Sequence, residues 1–132
     1  MSISDPLADA FVKIKNGYRV SKESVDIKFS KLLLKVVEIL KAQGFVKEFK
    51  VMEDNIQGVI RVYLKYLARN KPALKDIKRI SKPGCRIYVD KDNIPKVLNG
   101  IGLAILTTSG GLLSDEDARK NNLGGEVICQ VY

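Results

Sequence analysis

The chain has 132 residues, room for one domain or two small modules sharing an interface, and its 45% hydrophobic content is enough for a packed core. Lysines and arginines number 23 against 15 acids, a net charge of +8 that favours polyanionic partners such as nucleic acid or an anionic membrane surface. Histidine is absent, which removes the usual general base near neutral pH and the commonest metal ligand and so excludes hydrolytic triads and most zinc sites.

The opening MSISDPLADAFVKIKNG has neither a basic start nor an unbroken apolar run, and no segment approaches the roughly 18 apolar residues of a membrane span. A soluble, cytoplasmic protein without a signal peptide is expected. Asp5-Pro6 reads as an N-cap and first helical residue, and Leu7, Phe11 and Ile14 recur at helical spacing until Asn16-Gly17 ends the pattern. Lys13 and Lys15 lie outside that apolar stripe. Val25, Ile27 and Phe29 alternate with Asp26 and Lys28 as a half-buried strand. Ser30 then caps a second helix through Leu33, Val36, Val37 and Leu40 to a stop at Gly44.

Phe45 to Val51 and Gly58 to Tyr66 predict an antiparallel hairpin turning at Glu53-Asp54-Asn55. The segment Leu67 to Pro72 breaks periodicity and reads as a linker. Beyond it, Ile77 and Ile80 lead to Ser81-Lys82-Pro83-Gly84, expected as a type II turn in a basic hairpin whose second strand is Cys85 to Val89. Asn93 to Leu98 is expected as one or two helical turns, followed by an apolar strand from Gly102 to Leu106. Ser114-x-x-Asp117 resembles a capping box opening a short helix to Lys120, and Gly124-Gly125 turns into a last strand, Glu126 to Tyr132. The expected fold class is α+β, in two small α/β modules. Residues 1–66 hold helix, strand, helix and hairpin; 67–72 link; 73–132 form a mainly antiparallel sheet with short helices. There is no internal repeat or low-complexity tract.

Residues 61–91 contain ten cations (Arg61, Lys65, Arg69, Lys71, Lys75, Lys78, Arg79, Lys82, Arg86, Lys91) against Asp76 and Asp90, a local balance of +8 equal to that of the whole chain. Ordinary soluble surfaces mix signs, so this span points to a polyanion contact. Cys85 and Cys129 belong to no C-x-x-C pair and read as reduced, core-facing thiols. Asp115-Glu116-Asp117 are explained as acids in a first helical turn rather than paired catalytic carboxylates. No metal, cofactor or enzymatic turnover is expected. The stretch Thr107-Thr108-Ser109-Gly110-Gly111 lacks the frame of a nucleophile elbow or a phosphate-binding loop. It is either a glycine-rich turn with incidental hydroxyls or a surface where hydroxyls and backbone approach a ligand.

Several stretches together resemble the bacterial small-subunit ribosomal protein eight family over the whole chain. They are Asp5-Pro6 with Ala8-Asp9, Lys13-Ile14-Lys15-Asn16, Ser30-Lys31-Leu32, Arg79-Ile80-Ser81-Lys82-Pro83-Gly84 with Arg86 and Tyr88, Ile94-Pro95 with Val97 to Gly100, Thr107-Thr108-Ser109 with Gly111, and Gly124-Gly125-Glu126. The resemblance implies a two-domain α/β protein that binds the central domain of small-subunit ribosomal RNA, sits among neighbouring small-subunit proteins and, in many bacteria, also binds its own operon messenger. It implies that Thr107, Thr108, Ser109, Gly110 and Gly111 form an RNA-reading loop with Glu126 nearby. Ser81, Lys82, Arg86 and Tyr88 would add to that face, and Lys13, Lys15, Asn16, Ser30 and Lys31 would make an N-terminal contact. Gly110 stands where the family commonly has a basic residue, and Lys28-Phe29 replaces a more usual Pro-Ala. A DNA-binding or architectural protein and a purely structural interaction module are the alternatives. A monomer is expected in solution, its two modules meeting near the linker.

Overall fold

Helix α1, Pro6–Arg19, turns Leu7, Phe11, Ile14 and Tyr18 inward at helical spacing and leaves Val12, Lys13 and Asn16 exposed. It does not stop at Gly17. A Cβ there would lie 2.5 Å from Val25 Cγ1, so this glycine lets the helix close onto strand β1, Ser24–Lys28. The structure, a computed structural model, describes residues 5–53 and 58–132.

Helix α2, Lys31–Ala42, begins as expected: Ser30 is its N-cap, and the Ser30 hydroxyl accepts a hydrogen bond from Leu33 N at 3.0 Å. Gly44 follows its end at φ +82°, a conformation glycine adopts without a Cβ penalty. Strands β2, Val46–Met52, and β3, Val59–Leu64, pair antiparallel, and β1 adds to the other side of β3, giving the order β1-β3-β2. Of the expected turn between β2 and β3, Asp54 and Asn55 lie outside the described residues. Val25, Ile27, Val46, Ile60, Val62 and Leu64 are buried from the sheet, and Leu33, Val36, Val37 and Leu40 from α2. Each such side chain contributes roughly 1.5–3 kcal/mol on burial.

Residues 66–72 form a two-stranded ribbon, β4 (Tyr66–Leu67) against β5 (Lys71–Pro72), joined by a 3₁₀ turn at Ala68–Asn70. The chain divides into two compact units, Pro6–Lys75 and Asp76–Tyr132 with Asp5, so the ribbon belongs to the first.

The second unit is built on strand β10, Gly125–Val131. One edge of β10 pairs in succession with β6, Ile77–Arg79, and β7, Tyr88–Val89; the other pairs with β8, Leu103–Thr108, which in turn pairs with β9, Gly111–Ser114. The expected basic hairpin is therefore corrected: β6 and β7 both pair with β10 rather than with each other. A bridge between Lys82 and Cys85 closes the loop between them. Gly84 stays out of the left-handed region, so the turn is not type II, which needs positive φ at its third residue. The helix expected over 93–98 is also corrected to a tight turn at Val97–Gly100 with Leu98 and Asn99 at positive φ, because a residue before proline is pushed from helical geometry and Ile94 is drawn into the core. Strand β9 lies where the sequence pattern carries no strand signal.

Helix α3, Asp115–Lys120, packs on β8 and β9. The Ser114 hydroxyl accepts from Asp117 N at 3.2 Å, as the capping box requires. Ala104, Leu106, Ala118 and Val127 form the core beneath α3 with Ile94 and Val97. Asp115 does more than complement the helix dipole: buried, it accepts from Ala104 N at 3.1 Å and pairs with Arg119. Cys129 is buried, and burial pushes its thiol up to about 12. Cys85 is exposed, a correction to the core-facing reading, because it closes the Pro83-Gly84 turn with its backbone rather than joining β7.

Candidate nucleic-acid interface

In the strand registers Glu126 of β10 lies opposite Tyr88 of β7 on one side and Thr107 of β8 on the other. Residues directly opposite share a sheet face, so Tyr88, Glu126 and Thr107 make one row across three strands. Leu106 and Val127 beside that row join the core under α3, so the row points away from α3. Tyr88 is 68% exposed and Thr107 is exposed.

The carboxylate in the middle of the row is tied down. Ser81, fully buried, donates its hydroxyl to Glu126 Oε2 and accepts from Ile87 N at 3.2 Å; Arg86 donates to the same Oε2 at 3.0 Å. Burial alone would raise the Glu126 carboxyl, but the bonds from Ser81 and Arg86 and the charges of Arg86 and Arg79 outweigh it. Its pKa lies below the ordinary glutamate value. Two glycines let the strands approach: a Cβ on Gly125 would fall 2.0 Å from Thr107 O, and one on Gly124 2.5 Å from Val89 O. Arg79 is counted in the basic span yet serves inside the fold, with a 9% exposed side chain that pairs with Asp5 at 3.2 Å and donates to Ile128 O at 2.9 Å.

The row runs into the β8–β9 tip. Ser109 and Gly110 make the turn and Gly111 follows at φ +102°, the pattern of a hairpin closed by a glycine bulge. Thr108 holds the turn from within, its hydroxyl donating to Gly111 O at 2.8 Å and accepting from Gly110 N at 3.1 Å. Among the described residues the hydroxyls of Thr107 and Ser109 have no partner, and both side chains are exposed. Thr108 thus holds the turn, while the exposed Thr107 and Ser109 hydroxyls take no part in it.

A family model described as Ribosomal protein S8 matches residues 5–132. The chain belongs to this family. The small ribosomal subunit protein uS8 of Geobacter sulfurreducens is 49% identical over 132 residues, covering all of both chains. That of Geotalea uraniireducens is 48% identical and that of Syntrophomonas wolfei 47%, over the same full lengths. Within this ribosomal protein S8 family member, the C-terminal residues singled out in the sequence meet on one sheet. Ser81, Arg86, Tyr88, Thr107 and Glu126 form the row and its lock, while Thr108 to Gly111 form the adjoining tip; Lys82 stands exposed in the Ser81–Cys85 turn.

The N-terminal residues are not all brought together. Lys13 and Asn16 line a groove of about 510 Å³ between α1 and β1, with Lys22, Ser24 and the Asp26–Arg61 pair. The hydrogen bond from Arg61, then the charges of Arg61 and Lys13, hold the exposed Asp26 below the usual carboxylate range against a slight loss of hydration. Ser30 and Lys31 sit at the start of α2 and do not line that groove, and the Ser30 hydroxyl is occupied by its cap. Lys15 is half-buried. Sequence reasoning missed Lys22, which follows the helix end where no periodicity marks a residue as facing anything.

Proposed function

We propose that the chain is a structural protein of the small ribosomal subunit that binds the central domain of small-subunit ribosomal RNA and supports subunit assembly. The observation that carries this reading is the row Tyr88–Glu126–Thr107 continuing into the Ser109 tip. An exposed aromatic ring, a fixed carboxylate and unpartnered hydroxyls are the groups that stack on unpaired bases and hydrogen-bond base edges or 2′-hydroxyls. Glu126 in its ionised form accepts from a base amino group or ribose hydroxyl and repels phosphate, which selects bases over backbone. Lys82 adds phosphate attraction at the edge of the same face. Lys13 and Asn16 in the α1–β1 groove make the N-terminal contact, with Lys15, Ser30 and Lys31 as further positions.

On this reading the unit of residues 76–132 supplies specificity, and the unit of residues 6–75 adds backbone contacts. Neighbouring small-subunit proteins are its protein partners. An operon messenger folded into the same RNA shape would compete for the row and be repressed. The free protein is a cytoplasmic monomer without catalytic turnover, metal or cofactor.

The test is binding to a helical RNA from the small-subunit central domain, a scrambled RNA and duplex DNA across a salt series. Ser109→Ala and Tyr88→Ala are expected to reduce preference for the helical RNA with the salt slope unchanged. Lys82→Ala should weaken all three and lower the slope by about 0.7–0.9. Equal loss for cognate and scrambled RNA in Ser109→Ala would overturn the reading, as would preference for duplex DNA in the unsubstituted protein.

A further inference from the structure

The basic span contains cations that the interface above leaves unused. In the β4–β5 ribbon Leu67 lies opposite Lys71 and Tyr66 opposite Pro72, and Ala73 N donates to Lys65 O at 2.9 Å, carrying the pairing one step further. Alternation therefore places Lys65 and Lys71 on one face, with Arg69 at the tip and Lys75 just beyond the second strand. At the base, Lys65 lines a cleft of about 550 Å³ with Lys47, the residue of β2 left over where the register shifts between Val46 and Glu48. Glu23 is the acid in that cleft.

These cations differ from the arginines around them. Arg61, Arg79 and Arg86 each hold a carboxylate. Among the described residues Lys47, Lys65, Arg69, Lys71 and Lys75 hold none. The ribbon is also firmly based: Tyr66 donates its hydroxyl to Lys22 O at 2.6 Å, its ring meets Tyr18 edge-on at 5.5 Å, and Leu74 is buried. Arg69 stands at φ 63° and ψ 32°, where glycine or asparagine would sit with less strain.

We infer that this ribbon is a second RNA contact, one that grips the phosphate backbone of a strand without reading its bases. Lysine is depleted from protein–protein interfaces, which are anchored by aromatic residues and arginine, and the exposed end of the ribbon has no aromatic anchor. Arg69, Lys71 and Lys75, exposed and with no acid in the ribbon between them, suit a phosphate chain instead. The inference goes beyond the interface proposed above and rests on it only for the class of polyanion.

The experiment compares the full chain with a triple variant, Arg69→Asn, Lys71→Gln and Lys75→Gln, binding both the helical ribosomal RNA and an unrelated single-stranded RNA across a salt series. Loss of three phosphate contacts should lower the salt slope by about 2, at roughly 0.7 per contact for a single strand, with the ratio between the two RNAs unchanged. Arg69→Asn alone should lower it by about 0.7 without reducing the thermal midpoint, because asparagine tolerates the left-handed conformation. Lys71→Arg with Lys75→Arg should keep the parent slope. An unchanged slope in the folded variants overturns the inference, and so does a loss confined to the helical RNA. Tighter binding of polyglutamate than of RNA, abolished by the triple variant, overturns it in favour of an acidic protein. If Ser109→Ala and Tyr88→Ala leave specificity intact while the ribbon variants cut the slope, the C-terminal reading fails and the ribbon stands.

Discussion

The two units carry their polar groups in opposite ways. In the C-terminal sheet the groups that hold the row in place have internal partners: Ser81 and Arg86 converge on Glu126, and Thr108 holds its own turn. On the β4–β5 ribbon the cations extend into solvent, with only the backbone beneath them fixed. A fixed constellation discriminates, since a ligand that mismatches it leaves desolvated groups unpaired. Free lysines attract any polyanion and lose that attraction to salt. On the readings proposed here, specificity and salt-dependent affinity are separable by mutation.

The largest expected effect breaks the rigid side of that contrast. Gly125→Val places side-chain carbon against Thr107 O, where a backbone and not a flexible side chain must yield, and is expected to cost on the order of 3 kcal/mol or more. Gly84→Ala has nothing within 4 Å and should stay within about 0.5 kcal/mol. Urea unfolding of both variants checks the pair.

Glu126→Ala comes next. It strips the buried Ser81 hydroxyl of its acceptor and should cost roughly 1–3 kcal/mol, whereas Glu126→Gln keeps a carbonyl there and should cost less. Similar midpoints for the two in thermal unfolding would show that the lock contributes little to stability.

A smaller effect separates two neighbouring hydroxyls. Thr108→Ala removes both bonds inside the tip and should lower stability by about 1 kcal/mol, while Ser109→Ala should leave it unchanged. The decisive comparison is chemical denaturation alongside RNA binding, where the Ser109 variant is expected to lose specificity with a native midpoint.

The smallest expected effect is a pH dependence. The Glu126 pKa is lower in the folded protein than in the unfolded chain, so its contribution is present above the unfolded value of about 4.3 and is lost as pH falls below that through the folded pKa. Measured from pH 5 downward, the stability of Glu126→Gln should decline less steeply than that of the parent.

Periodicity and caps determined much of the fold directly from the sequence. Leu7, Phe11 and Ile14 mark α1, Ser30 and Ser114 open their helices, and alternation at Val25 and Ile27 marks β1, because each signal depends on residues within one or two turns of one another. Composition likewise pointed to a polyanion, and residue types in order pointed to the family. Tertiary structure alone decided which local signals mean something else. Gly17 reads locally as a helix stop, yet Val25 approaches it from β1 and the helix continues. Residues 67–72 read as a linker because polar residues and proline break the pattern, yet backbone pairing needs no apolar period and makes a ribbon of them. Ser81, Tyr88, Thr107 and Glu126 span 45 positions between the first and last of them; the pairing of β10 with both β7 and β8 puts the last three into one row, and the Ser81 hydroxyl meets them at Glu126. Charge can be counted along a chain, but whether an arginine is spent inside the fold, as Arg79 is on Asp5 and Ile128, depends on partners that folding brings near.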